Sequence, residues 1–342
     1  MTSERVRTLE FLRFFFMVIL LSWHGQYGFF TKGYLVVEFF FIVSGYFLMD
    51  SYLRNPKLSA FQFTINRVKK TYFEYILAAI ISFLYYGILV SVINKSFKVE
   101  AFYKFISEAF ILQNVGIFSG GFNYPLWYYC VLIVGGYFLY YIIAKFKSGI
   151  QFIIPLFCLM SFVLLSNISE NKLENWQTLG CIYIPIIRGA SEIGVGILLR
   201  SIVENNFCKK YNSKALDLLF VLSFILTIGI MVNENVSDFY ILLTFPVLIF
   251  SALRNECVVS KMFQSKIWDK LGKITWEMFL LHGVLISITN KALSIAGIEK
   301  GVFVFIIVVI IVTGLSFVFR YLCKCMREFM ETKWLLKNNL GL

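Results

Sequence analysis

Leu9-Glu10-Phe11-Leu12-Arg13-Phe14-Phe15-Phe16-Met17-Val18-Ile19-Leu20-Leu21-Ser22-Trp23-His24 is a long apolar run interrupted by a guanidinium and, eleven positions later, an imidazole. Read as a helix, eleven steps of about 100° return to nearly the same bearing, so Arg13 and His24 share one face. They stand about 16 Å apart along the axis, half the thickness of a bilayer core. Ionisable groups at that depth are costly, which marks both as functional candidates.

The surrounding composition supports the membrane reading. The chain has 342 residues, 59% hydrophobic and 18% aromatic, with only 15% charged. A soluble protein of this size carries more charge and less apolar surface. An all-α polytopic bundle is expected, with residues 1–342 forming one transmembrane domain. The formal charge of +12 is carried mostly between apolar spans, and no basic stripe with interleaved aromatics suggests nucleic acid. The seven Cys lack metal or redox spacing, so no metal is expected. Arg5 and Arg7 precede the first run like a signal-peptide n-region, but Trp23-His24-Gly25 replaces a small-residue cleavage site, so the first span is read as uncleaved.

About ten spans are expected, at 8–28, 33–52, 72–93, 124–144, 150–167, 179–200, 215–233, 237–253, 274–292 and 301–323. Segment 101–117, interrupted by Lys104 and Glu108, is expected to lie as a re-entrant or interfacial helix. Lys and Arg concentrate after the even-numbered spans, as in Arg54, Lys57, Arg67, Lys69 and Lys70 after the second. Lys95, Lys98 and Lys104 after the third are an exception, and the bias still favours both termini in the cytoplasm. Arg13 then lies near the cytoplasmic side, and His24 lies in the outer half with Glu38 at similar depth.

The residue types suggest a division of labour. An imidazole is suited to accept a proton near neutral pH. A carboxylate such as Glu38 could fix its tautomer. Arg13, Arg67 and Lys70 form a cationic group suited to phosphate, with Arg67 and Lys70 equally readable as positive-inside residues at lipid head groups. Arg188 and Glu192, four apart, are expected to pair on one helix face. Gly194, Gly196 and Ser44-Gly45 invite close helix approach. No Walker, Rossmann, GxSxG or zinc motif occurs.

Taken together these segments resemble the acyltransferase-3 family of integral membrane O-acyltransferases, over nearly the whole chain. Leu9-Glu10-Phe11-Leu12-Arg13 with His24 is similar to the family's first-helix R-x10-H motif, and Glu38-Phe39-Phe40-Phe41 with Ser44-Gly45 to its second-helix motif. Arg67-Val68-Lys69-Lys70 resembles its R-x-x-R entry to the third helix, with Lys70 in place of the second Arg. Pro125-Leu126-Trp127-Tyr128-Tyr129 and Leu271-Gly272-Lys273-Ile274-Thr275-Trp276 through Leu281-His282 resemble two later segments. Glu10 and Glu38 stand where Asp is usual.

The resemblance implies a multi-pass enzyme of the cell membrane that moves an acyl group, acetyl from acetyl-CoA, to a hydroxyl of a surface polysaccharide or lipid-linked glycan. It implies His24 as base or acyl carrier oriented by Glu38, and Arg13, Arg67 and Lys70 at the donor phosphates. Trp127 and His282 would line the acceptor side, with Arg188 and Glu192 among the substrate-binding candidates. The chain ends soon after the tenth span, so no appended extracellular hydrolase-like domain is expected. A transporter or flippase using Arg13, His24, Glu38 and Arg188–Glu192 as a proton or anion relay accounts for the buried charges equally well, though no inverted repeat is evident.

Overall fold

The computed structural model describes residues 6–95, 99–113, 120–146, 148–170, 172–180, 182–204, 213–253 and 261–339, with side chains in the last helix described through 332. Cys181, the end of the 101–117 segment, and the loop cations Lys98, Lys147, Lys209, Lys210 and Arg254 lie outside these residues. The described chain is helical apart from one antiparallel hairpin, Thr178–Leu179 with Ile182–Tyr183.

Twelve helices frame the site: α1 Arg7–His24, α2 Val36–Arg54, α3 Ala60–Ser82, α4 Glu100–Ala109, α5 Trp127–Lys145, α6 Ile154–Ile168, α7 Ile184–Glu204, α8 Ser213–Val232, α9 Ile241–Ala252, α10 Lys266–Lys273, α11 Thr275–Ile295 and α12 Val302–Asn339. Seven helical segments among the described residues are long and apolar enough to cross a membrane: those ending in α2, α5 and α6, the run from α3 to Ile93, α8, α11 and most of α12. The three other expected spans fall short for visible reasons. α1 carries Arg7, Glu10 and Arg13, and α7 carries Arg188, Glu192 and Arg200. α9 has twelve residues, preceded by a 3-10 turn at Asp238–Tyr240.

The third helix starts at Ala60, well before the expected residue 72. Ser59 and Gln62 form a reciprocal capping box there, satisfying backbone donors that would otherwise be orphaned. Arg67 and Lys70 therefore lie inside the helix and not in a loop before it. The helix continues through a wider π-helical stretch, Phe83–Val90, to Ile93.

α2 and α7 meet backbone to backbone at the centre. A Cβ at Gly45 would overlap the Ile193 carbonyl, and one at Gly196 would overlap the Ile42 carbonyl. Both glycines are thus required by the closeness of the two helices. Phe16, Phe39 and Phe245 join α1, α2 and α9 beside this contact, with ring centroids 4.7 and 5.3 Å from Phe16. α8 and α12 present Leu218, Leu222, Ile225, Phe303, Ile306 and Ile310 outward, as lipid-facing helices should.

α4 carries the amphipathic pattern of an interfacial helix. Ala101, Ser107 and Glu108 are buried, while Phe102, Tyr103 and Ile106 are exposed.

Candidate active site

α1 passes two cavities. The first, about 250 Å³, is lined by Arg13, Ser44, Arg67, Tyr128, Tyr129 and Trp276, among others. The second, about 360 Å³, includes His24, Tyr34, Tyr124, Trp127, Trp176 and Arg188 in its wall. The eleven-residue spacing therefore puts one end of a single helix face in each cavity.

In the first cavity Arg13 reaches back one turn, donating from Nη1 to the buried Glu10 carboxylate at 3.1 Å. Glu10 is itself held against Gly272, where a Cβ would collide with its carboxylate. This leaves the rest of the Arg13 guanidinium for the cavity. The opposite wall is ordered by hydroxyl pairs: Tyr128 Oη and Ser44 Oγ at 3.2 Å, and Tyr129 Oη and Thr71 Oγ1 at 2.6 Å. Arg67 lines this wall, but Lys70 does not. Three helical steps turn Lys70 about 60° away from Arg67, onto an exposed face. The expected trio of cations is thus a pair, Arg13 and Arg67.

The second cavity corrects the expected role of Glu38. Arg188 donates from Nε to Glu38 Oε2 at 3.2 Å and from Nη2 to Glu38 Oε1, a bidentate pair across the α2–α7 contact. Glu38 therefore holds Arg188 and makes no bond to His24, its position one turn into α2 facing α7 instead of α1. The expected Arg188–Glu192 pair is present at 3.6 Å, as the weaker contact of a three-member cluster. All three side chains are at most 2% exposed. Glu192 sits behind Arg188 and does not line the cavity. The Arg188 guanidinium lies 5.9 Å from the Trp127 ring centroid, which stacks in turn edge-on to Trp176 at 5.0 Å.

His24 closes α1 and is flanked by Trp23 at 4.6 Å, Tyr124 at 4.8 Å and His282 at 4.9 Å between centroids. No hydrogen bond to its ring nitrogens occurs among the described residues. His282, fully buried in α11, does not line the cavity but stands directly behind His24. Its Nδ1 lies 2.8 Å from the Phe279 carbonyl.

The rim of the second cavity is clamped by a residue the sequence reading placed only in an interfacial segment. The buried Glu108 carboxylate accepts from the backbone N–H of Phe122 at 3.2 Å and of Asn123 at 3.0 Å. Asn123 Nδ2 donates to the Leu280 carbonyl at 2.8 Å, and Gln113 Nε2 donates to the Leu126 carbonyl at 3.0 Å. Burial raises the Glu108 carboxyl to about 7, against the opposing effect of those two N–H donors. Tyr34, Glu174, Trp176 and Tyr183 were also missed. Their only sequence signal was aromatic density in short connections, which reads equally as an interfacial belt.

A family model described as Acyltransferase domain matches residues 6–321. An O-acetyl transferase of Shigella phage Sf6 is 27% identical over 177 residues, a match covering 46% of this chain and 51% of that protein. The chain thus spans about half the length of that curated relative. No solved structure matches.

Proposed function

We propose, on the premise that this chain belongs to the acyltransferase family whose domain covers residues 6–321, that it is a membrane O-acyltransferase moving acetyl from acetyl-CoA to a hydroxyl of a cell-surface or lipid-linked glycan. The observation that carries this reading is the placement of Arg13 with Arg67 in one cavity and His24 in the other, along one face of α1. The phage relative's description as an O-acetyl transferase supports acetyl as the group moved. Family membership also favours acyl transfer over the transport reading.

In this reading ten helices cross the cell membrane with both termini in the cytoplasm. The donor enters from the cytoplasmic side. Arg13 and Arg67 face its phosphates, where guanidinium donors bind bidentately. Its pantetheine arm runs along α1 and brings the thioester to His24. The aromatic walls Trp127, Trp176 and Tyr183 suit the apolar faces of a sugar ring, and Arg188 and Glu174 supply polar anchors for hydroxyls. His24 takes the proton of the acceptor hydroxyl as its oxygen attacks the thioester carbon. The tetrahedral adduct collapses with loss of the CoA thiolate, which takes up the proton. A transient acetyl on His24 is the stepwise version of the same transfer.

The test is His24→Ala in membranes of the producing cell, with glycan acetylation read by mass spectrometry. Loss of acetylation in a stably folded variant is expected. Full acetylation would overturn the assignment of His24.

A further inference from the structure

We infer that His282 is the positioning residue of the transfer site: its Nε2 lone pair accepts the N–H of His24 and then shares the proton that His24 removes from the acceptor hydroxyl. This rests on the reading of His24 as the base.

The chemistry of one hydrogen bond fixes the tautomer. A backbone carbonyl only accepts, so His282 Nδ1, 2.8 Å from the Phe279 oxygen, carries the hydrogen. Neutral His282 then has its lone pair on Nε2. That atom is buried with no partner, in a side chain with no exposed surface. An unpaired buried acceptor costs stability, so it calls for an explanation. The group nearest to supplying one is His24, whose ring centroid is 4.9 Å away at 41°, and whose own nitrogens make no bond among the described residues. The proposal requires one His24 ring N–H to be aimed at Nε2 across this ring-to-ring contact.

Among the described residues no side chain bonds to either imidazole, and the nearby Lys300 ammonium donates to the Gly25 carbonyl at 3.1 Å. Tyr124 and Trp23 pack on His24 through their rings, and Phe279 packs on His282 at 5.7 Å. Among the described residues of the same cavity the charged ones are Arg188 on α7 and Glu174 in the segment before it, Tyr34, Tyr124 and Tyr183 add hydroxyls, and Arg188 is held by Glu38. Tyr86, from the extension of α3, spends its hydroxyl on the Gly283 carbonyl at 3.0 Å. No carboxylate bonds to either imidazole among the described residues.

The consequence is a two-imidazole relay. With one His24 nitrogen donating to His282, the other presents its lone pair to the cavity. When the hydroxyl proton arrives there, the far N–H moves toward His282 Nε2, spreading one positive charge over two rings. When the CoA thiolate leaves, the proton returns through His24 and ends on sulfur. His282 touches no reacting atom.

The experiment uses the full chain in membranes, with radiolabelled acetyl-CoA as donor, the membranes' own glycans as acceptor, and base-labile acetate counted. His282→Phe fills the volume without an acceptor, and His282→Gln restores an acceptor near the reach of Nε2. We expect H282F to lower kcat about 100-fold with the acetyl-CoA KM unchanged, and H282Q to recover about tenfold of that. The acid limb of the H282Q rate profile should move by about half a pH unit, since the pair no longer titrates together. H24A and the H24A/H282F double variant should be equally inactive, because His282 acts only through His24. If H282F fails to fold, the H282Q profile carries the test, and an unmoved acid limb overturns the proposal. An H282F as active as wild type beside an inactive H24A overturns it while leaving the acyltransferase reading intact. Equal losses in H282F and H282Q, or losses that multiply in the double variant, reduce His282 to packing. An active H24A removes the base and the proposal together.

Discussion

Arg188→Met isolates the charge cluster that joins α2 to α7. Arg188 is 2% exposed and both of its carboxylate partners, Glu38 and Glu192, are 0% exposed. Removing one member of a buried ion pair costs about 3–5 kcal/mol, because the remaining charge is left without compensation. Here a single guanidinium serves two carboxylates, which puts the variant at the upper end of that range. At about 2–4 °C per kcal/mol for a large chain, Tm in detergent should fall by about 10–15 °C. The informative control is the triple variant E38Q/R188M/E192Q, which deletes the charges along with the cation. It should regain most of the lost Tm, since replacing a whole buried cluster is far milder than breaking it. It should not regain acetyl transfer, because Arg188 also faces the cavity that holds His24. A single variant within about 1 kcal/mol of wild type would refute the structural reasoning. So would a triple variant no more stable than the single one.

Glu108→Gln tests the clamp on the cavity rim. Burial raises the Glu108 carboxyl from 4.5 to about 7, so folding takes up a proton. The associated stability is fully present below the unfolded value and is lost as pH rises through about 7, so between pH 5 and pH 8 wild type should lose about 2–3 kcal/mol more stability than E108Q, read as a larger fall in Tm. Parallel Tm curves would refute this. In acetyl-CoA kinetics, Arg67→Ala should raise KM about tenfold or more, whereas Lys70→Ala should stay near wild type, because only Arg67 lines the cavity. Equal effects would restore the three-cation reading. Gly196→Ala forces a methyl onto the α2 backbone and should cost about 1–3 kcal/mol, while Gly229→Ala, with open space at its Cβ, should cost nothing measurable in a thermal melt.

Much of this fold was legible because apolar runs of the right length have one solution in a bilayer. The helix at Arg7–His24 could be read although its charges make it a poor span, because the spacing of Arg13 and His24 has helical meaning. What failed were long-range partnerships. Glu38 and Arg188 lie 150 positions apart, and depth alone placed Glu38 beside His24 as readily as beside Arg188. His282 is expected on the acceptor side, but its neighbour is fixed by the packing of α1 on α11. Lys70 was assigned by charge, and a helix start twelve residues earlier than expected, set by Ser59 and Gln62, decides which way it faces.

The glycine contact between α2 and α7 also limits how the molecule can move. Screwing α7 by one residue, about 100° of rotation with about 1.5 Å of rise, would carry a side-chain-bearing position, Val195 or Ile197, onto the α2 backbone at Ile42, where a Cβ has no room. The two helices therefore behave as a keyed shaft, fixed in register like a lock bolt in its slot. Ser44 on one and Arg188 on the other are fixed walls of the two cavities. Any gate that admits a donor or releases a product must hang from the remaining walls, on the side of α3, α11 and the Glu108-held rim.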